Sequence, residues 1–200
     1  FDESVAQCAS GPAFTCMGKS VAFAELDTLS AAFGAWLQGI GGGKGSRVAL
    51  MMPNILQYPV CLFGTLRAGA TVVNVNPLYT ARELEHQLAD SGAEVIVVLE
   101  NFAATLAEVV AKTKVKHVIV ASMGELLGLK GVLVNFVVRR VKKMVKPWRI
   151  ANAIHVSDVL AEGRRRSLTR VPISHDDIAF LQYTGGTTGV AKGAILQHRN

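Results

Sequence analysis

Near the end of the 200-residue chain, residues 183–193 read Tyr-Thr-Gly-Gly-Thr-Thr-Gly-Val-Ala-Lys-Gly. Glycines, threonines and a single lysine are the residue types that hold a polyphosphate. Glycine permits positive φ and lets backbone N–H groups approach an anion closely, a threonine hydroxyl donates to a phosphate oxygen or reaches a metal, and lysine brings a mobile positive charge. By composition alone, such a loop between two apolar runs is either a phosphate cradle or a plain structural turn. It is not a Walker A loop, because Lys192 stands between Ala191 and Gly193 where that pattern needs Gly-Lys-Ser/Thr. Gly18-Lys19-Ser20 has the right ending, but its leading glycine would fall on Ala13. No G-x-S-x-G and no H-E-x-x-H occurs, so hydrolase and zinc-protease readings find no residues. Cys8, Cys16 and Cys61 lack metal-ligand spacing and read as buried or free thiols of a reducing compartment, with the cytoplasm as the expected location.

A cradle needs a rigid frame, and the preceding residues describe one. Ile178 to Gln182 is an apolar strand signal that runs directly into the loop. Leu26, Leu29, Phe33, Trp36, Leu37 and Ile40 form a helical stripe that stops at Gly41, Gly42 and Gly43, and this stripe is core. Arg47 to Met52 reads as a short buried strand closed by Pro53, Asn54 to Arg67 as a helix interrupted by Pro59, and Ala70 to Val75 as another strand. Asn76 and Pro77 read as a turn beside Tyr79. Thr80 and Glu83 make a T-x-x-E capping box, Leu84 and Leu88 line one face of the helix it opens, and Gly92 supplies a left-handed end. Val95 to Leu99 is a continuous apolar run of strand length. Asn101 is placed to cap a helix with Phe102, Leu106, Val109 and Val110 on one face, and His117 to Ala121 is a further strand. Short apolar strands alternating with amphipathic helices predict an α/β fold, a mostly parallel sheet covered on both faces with right-handed crossovers.

From Val134 the apolar residues Val134, Val137, Val138, Val141, Val145 and Trp148 recur at three- and four-residue spacing, with Arg139, Arg140, Lys142, Lys143, Lys146 and Arg149 among them. The pattern predicts a cationic amphipathic helix ended by Pro147, followed by a polar, irregular stretch to Pro172 that carries Arg164, Arg165 and Arg166. The formal charge of +6 is therefore largely local. A wide apolar face, six cations and Trp148 suit either a solvated helix or a segment lying at a membrane surface. Nucleic acid is the weaker reading, since aromatics are not interleaved and no nucleic-acid module is recognisable. With half its residues hydrophobic and 18% charged, the chain is not disordered. The longest uncharged run, Val48 to Leu66, holds Pro53, Asn54, Gln57 and Pro59 and is rejected as a membrane span. Opening on Phe1 and stopping at Asn200 soon after the loop, the sequence is expected to be an N-terminal piece of a longer protein.

The loop string resembles the AMP-binding signature of the adenylate-forming superfamily, the acyl-CoA synthetases, luciferases and peptide-synthetase adenylation domains. The segments Val48-Ala49-Leu50-Met51-Met52-Pro53-Asn54, Asn74-Val75-Asn76-Pro77-Leu78-Tyr79-Thr80, Arg82-Glu83-Leu84-Glu85-His86-Gln87-Leu88 and Val134-Asn135-Phe136-Val137-Val138 resemble the bacterial long-chain fatty-acid CoA ligase family. So do Phe180-Leu181-Gln182 and His198-Arg199-Asn200 around the loop. Two departures from the superfamily's commoner loop, Gly185 for Ser or Thr and Ala191 for Pro, are typical of the bacterial group. The likeness covers essentially the whole chain and is weakest from Lys146 to Val171.

The resemblance implies that residues 1–200 are an incomplete part of the N-terminal AMP-binding large domain, with the C-terminal domain outside this sequence. It implies two steps at one site: a long-chain fatty acid attacks the α-phosphate of ATP, giving acyl-adenylate and pyrophosphate, and coenzyme A then displaces AMP. Gly185, Gly186 and Gly189 would give backbone donors, Thr187 and Thr188 hydroxyls, Lys192 charge, and Thr184 the approach to Mg2+. No catalytic acid, base or nucleophile is assigned. The rivals are an adenylate-forming ligase for shorter or aromatic acids and a noncatalytic nucleotide- or membrane-binding module. The resemblance implies a long-chain fatty acid as partner, and the basic helix adds a peripheral contact on the inner face of the cytoplasmic membrane as an expectation. There is no nucleic acid among them, and a homodimer is left open.

Overall fold

The computed structural model describes residues 1–184 and 191–200. A helix α1 (Asp2–Cys8) and a hairpin of β1 (Pro12–Cys16) and β2 (Lys19–Ala22) precede the parts that the periodicity foretold. The hairpin turns at Met17 and Gly18, both at positive φ as a tight two-residue turn requires. There follow α2 (Phe23–Gly39), β3 (Arg47–Met51), α3 (Gln57–Arg67), β4 (Thr71–Asn74), α4 (Ala81–Ser91) and β5 (Val95–Leu99). After β5 come α5 (Ala103–Val109), β6 (His117–Ala121), α6 (Leu129–Phe136), β7 (Ile154–His155), α7 (Val156–Gly163), β8 (Ile178–Thr184) and β9 (Lys192–Gln197). Strands β3 to β9 form one sheet in the order β7-β6-β5-β3-β4-β8-β9, parallel except where β9 joins β8 antiparallel.

The strands are apolar on both faces because both are covered. Val48, Leu50, Val72, Val95, Val97, Leu99, Ile119 and Ala121 join Phe33, Trp36 and Leu37 of α2, Val60 and Cys61 of α3 and Val159 and Leu160 of α7. Their neighbours Ala49, Met51, Val73, Ile96, Val98, Val118 and Val120 face Leu84 and Leu88 of α4 and Leu106 and Val109 of α5. Successive strand residues thus enter opposite cores, as the two-residue period of a strand demands. The expected mostly parallel, doubly covered α/β sheet is what forms.

The capping box is complete in both directions, with Thr80 and Glu83 each bonding the other's backbone, and Gly92 ends α4 at φ 63°. Pro59 does not interrupt α3. The helix begins at Gln57, so the proline occupies the first turn, where the missing N–H removes no bond. Asn101 caps nothing: it lies in a 3-10 turn (Glu100–Phe102), and its side-chain amide points to the Met144 carbonyl at 3.4 Å. The stretch expected to be irregular contains α7. Its Val156, Val159, Leu160 and Gly163 are buried, and its free N-terminus is satisfied by Glu125, whose Oε1 accepts from Ser157 N at 2.7 Å. The cationic helix is also displaced. It starts at Leu129, passes into a π-helical turn (Val137–Val141) and ends well before Pro147, because Lys143 turns left-handed at φ 49°. Among the described residues no helix is long and apolar enough to cross a membrane.

Candidate functional site

The loop lies between the last parallel strand and its antiparallel neighbour. Thr184 ends β8, Lys192 begins β9, and the two are direct partners in the ladder, so residues 185–191 connect adjacent strand ends. The register thus brings Thr184 and Lys192 together, and Lys192 is exposed. Gly185, Gly186, Thr187, Thr188 and Gly189 lie outside the described residues. A strand, not a helix, follows the loop. The helix N-terminus that receives phosphate in Walker A and dinucleotide folds is therefore missing at this position, and an anion held here must rely on backbone N–H groups, hydroxyls and Lys192.

Two residues before Thr184 a polar network fastens β8 to its parallel neighbour. Asn74, at the carboxyl end of β4, donates from Nδ2 to Gln182 Oε1 at 2.8 Å, and the two residues are paired in register. Tyr58 of α3 donates its hydroxyl to Asn74 Oδ1 at 2.8 Å, and Gln87 of α4 donates from Nε2 to the Asn74 carbonyl at 2.7 Å. Helices on opposite faces of the sheet are thereby tied to one residue at the edge where ligands of open α/β sheets bind. Burial raises the Tyr58 pKa, and its bond to Asn74 partly offsets the rise.

Tyr183 holds the strand from the other face. Its buried side chain donates a hydrogen bond to Asp90 Oδ2 of α4 at 2.5 Å. Burial first, then that bond and the Asp90 charge, push its ionisation well above the ordinary tyrosine range. The ring lies over Gly193, where an added Cβ would stand 3.0 Å from Tyr183 Cε2 and Cζ, so a glycine lets β9 pass beneath the ring. The turn expected at Asn76 is present, with Asn76 Oδ1 accepting from Leu78 N at 3.0 Å, and Tyr79 packs partly against the α4-side core.

Sequence reasoning assigned no role to Tyr58, Asn74, Asp90 or Gln182. The available signal was an amide side chain within two residues of the carboxyl end of each of two mostly apolar strands, Asn74 and Gln182, where burial must be compensated by a bond. Among the described residues, no group of three or more His, Cys, Asp or Glu side chains comes together to hold a metal ion.

A family model described as AMP-binding enzyme matches residues 1–200. The chain is 57% identical over 202 aligned residues to the long-chain-fatty-acid–CoA ligase of Escherichia coli O157:H7, covering 100% of this chain and 36% of that protein. It thus spans about a third of the length of the curated relatives it matches. Among solved structures, a long-chain-fatty-acid–CoA ligase from Archaeoglobus fulgidus matches with a TM-score of 0.72 and 27% identity, over 98% of this chain and 35% of that one. An anthranilate CoA ligase in complex with anthranoyl-AMP matches with a TM-score of 0.79 at 20% identity, over 99% and 34% of the two chains, and shares the fold. The seven-stranded sheet is that of the N-terminal part of these adenylate-forming enzymes.

Proposed function

The chain belongs to the AMP-binding enzyme family, and on that premise we propose that it forms the nucleotide-phosphate cradle of a long-chain fatty-acid CoA ligase. The observation that carries the reading is that the donor-rich sequence joins the paired strand ends Thr184 and Lys192, two residues beyond the Gln182 that Asn74 and Tyr58 tie to the sheet. Residues 1–200 are an incomplete AMP-binding domain in this reading, and the activity is that of the full-length protein. The fatty carboxylate attacks the α-phosphate of ATP, the bond to the β-phosphate oxygen breaks, and pyrophosphate leaves. The coenzyme A thiolate then attacks the acyl carbon and AMP departs.

The chemical task of this chain is to hold charge. Backbone N–H groups of Gly185, Gly186 and Gly189 and the hydroxyls of Thr187 and Thr188 are assigned to phosphate oxygens, and Lys192 to the departing pyrophosphate. Mg2+, when bound, would neutralise charge between the phosphates. We assign Thr184 to it, as a hard oxygen donor. No acid, base or nucleophile is assigned within residues 1–200. A cytoplasmic enzyme with peripheral contact on the inner face of the membrane belongs to the same reading. The test is a coupled AMP-release assay on the full-length protein: lauric through stearic acids should form CoA thioesters far faster than acetate or coumarate, and the reverse order would overturn the assignment.

A further inference from the structure

Helix α6 is seated the wrong way round for a water-soluble surface. Its small and polar side is the one fixed to the body of the protein. Gly131 packs backbone to backbone on Gly124, and Asn135 accepts from Gly124 N at 2.7 Å while donating to Ser122 Oγ at 3.2 Å. Leu129, Val132, Leu133 and Phe136 fall on the opposite side at helical spacing, with 94, 73, 66 and 57% of their surface exposed. Val141 and Met144 extend the exposed apolar surface past the helix. Of the apolar stripe that begins at Val134, Val134 packs partly against the core and Val138 is buried, so the outward row is a different set of residues.

The charge around this face has one sign. Residues 126–157 carry seven Lys and Arg side chains and no Asp or Glu. Since the whole chain is +6, the remaining residues sum to −1. Arg139 is neutralised locally by Glu100, a buried carboxylate that it grips with Nε at 3.0 and 2.9 Å. Lys130, Arg140, Lys142, Lys143, Lys146 and Arg149 are exposed and make no ion pair among the described residues. Where the apolar row meets the cations there is a groove of about 410 Å³ lined by Val132, Asn135, Phe136, Arg139 and Arg140.

We propose that α6 and the basic turn after it dock on an anionic phospholipid surface, with Leu129, Val132, Leu133 and Phe136 entering the interfacial layer. Lys130, Arg140, Lys142, Lys143 and Lys146 face the headgroups, and Arg140 presents its guanidinium to a lipid phosphate at the groove. An exposed apolar row rimmed by cations is the pattern of interfacial helices. A protein partner is disfavoured by the charge, since six cations of one sign with no carboxylate among them fit a diffuse anionic surface better than a patterned one. The docking names the membrane partner of the ligase reading and rests on that reading only for its purpose, access to an acid dissolved in the bilayer.

The test is co-sedimentation of the full-length protein with vesicles of mixed phosphatidylcholine and phosphatidylglycerol, and with pure phosphatidylcholine. Each Lys or Arg near an anionic surface contributes about fivefold in affinity. Changing Arg140, Lys142, Lys143 and Lys146 together to Gln should thus lower binding to the mixed vesicles by about two to three orders of magnitude. Raised salt should weaken the wild type in the same direction. Leu133→Ser with Phe136→Ser, both at exposed positions, should also abolish binding while leaving the circular dichroism unchanged. Wild-type binding that neither set of substitutions reduces, or wild type that stays in the supernatant with both vesicles, overturns the proposal; the second result leaves a protein surface, of a partner or of the same polypeptide outside residues 1–200, as the occupant of this face. Thioester formation from detergent-dispersed palmitate, measured on the same variants, separates the claims: its absence in wild type removes the ligase reading, and vesicle binding alone decides the docking.

Discussion

Replacing Asn74 with Leu removes the side chain that joins β4 to β8 and should show whether the loop depends on that joint. Two hydrogen bonds are lost, from Tyr58 Oη and to Gln182 Oε1, both 2.8 Å. The bond from Gln87 survives because it ends on the Asn74 backbone carbonyl. Each lost bond contributes about 1 kcal/mol net, and a partner stranded away from water costs about 1–3 kcal/mol. Tyr58 and Gln182 are both half-buried, so the pair should cost about 2–4 kcal/mol in a urea-unfolding experiment. Asn74→Asp is the informative control. A carboxylate still accepts from Tyr58, and it accepts from Gln182 once that amide turns over, so this variant should lose less than half as much. Because Gln182 stands two residues before Thr184, ATP–pyrophosphate exchange in the full-length protein should show a raised KM for ATP in Asn74→Leu. An unfolding midpoint equal to wild type, or Asp as damaging as Leu, would refute the network as the support of the loop.

Two further expectations rest on single contacts. The folded state keeps Tyr183 protonated beyond its ordinary value of 10.0, so the stability it contributes is whole below pH about 10 and is lost as pH rises through the folded value. Urea midpoints across the alkaline range should fall less steeply in Tyr183→Phe than in wild type, and parallel slopes would contradict the assignment. In the Glu100–Arg139 pair the carboxylate is 5% exposed and the guanidinium 43%. Arg139→Met should therefore cost about 3 kcal/mol by stranding a buried charge, Glu100→Gln only about 1 kcal/mol, and the double variant should recover most of the difference; equal single costs would show that water already reaches Glu100.

Elements governed by neighbours in sequence were legible. Thr80, Glu83 and Gly92 define α4 through contacts three or four residues apart, and the apolar runs at Val95 and His117 became β5 and β6 with their expected limits. Elements governed by distant residues were not. The start of α7 is satisfied by Glu125, 32 residues earlier. Asn101 sits in a 3-10 turn and bonds to the Met144 carbonyl, 43 residues on, instead of capping a helix. The basic segment stops at Lys143 after a π-helical turn that no periodicity announces. At the site, Thr184, the glycines and Lys192 are assigned to phosphate by residue type alone, while the ties from Tyr58, Asn74 and Asp90 depend on which strands become neighbours.

Lys192 gives the most direct test of the phosphate cradle, because its register partner is Thr184 at the other end of the loop. In the full-length protein, Lys192→Ala removes one charge-assisted hydrogen bond, worth about 1.5–3 kcal/mol, or roughly 10- to 150-fold in rate. ATP–pyrophosphate exchange with palmitate should fall by that factor, while thioester formation from supplied palmitoyl-adenylate and coenzyme A should stay near wild type. Exchange unchanged by the substitution would contradict the assignment of Lys192 to the leaving pyrophosphate, and with it the reading of residues 184–192 as the phosphate cradle.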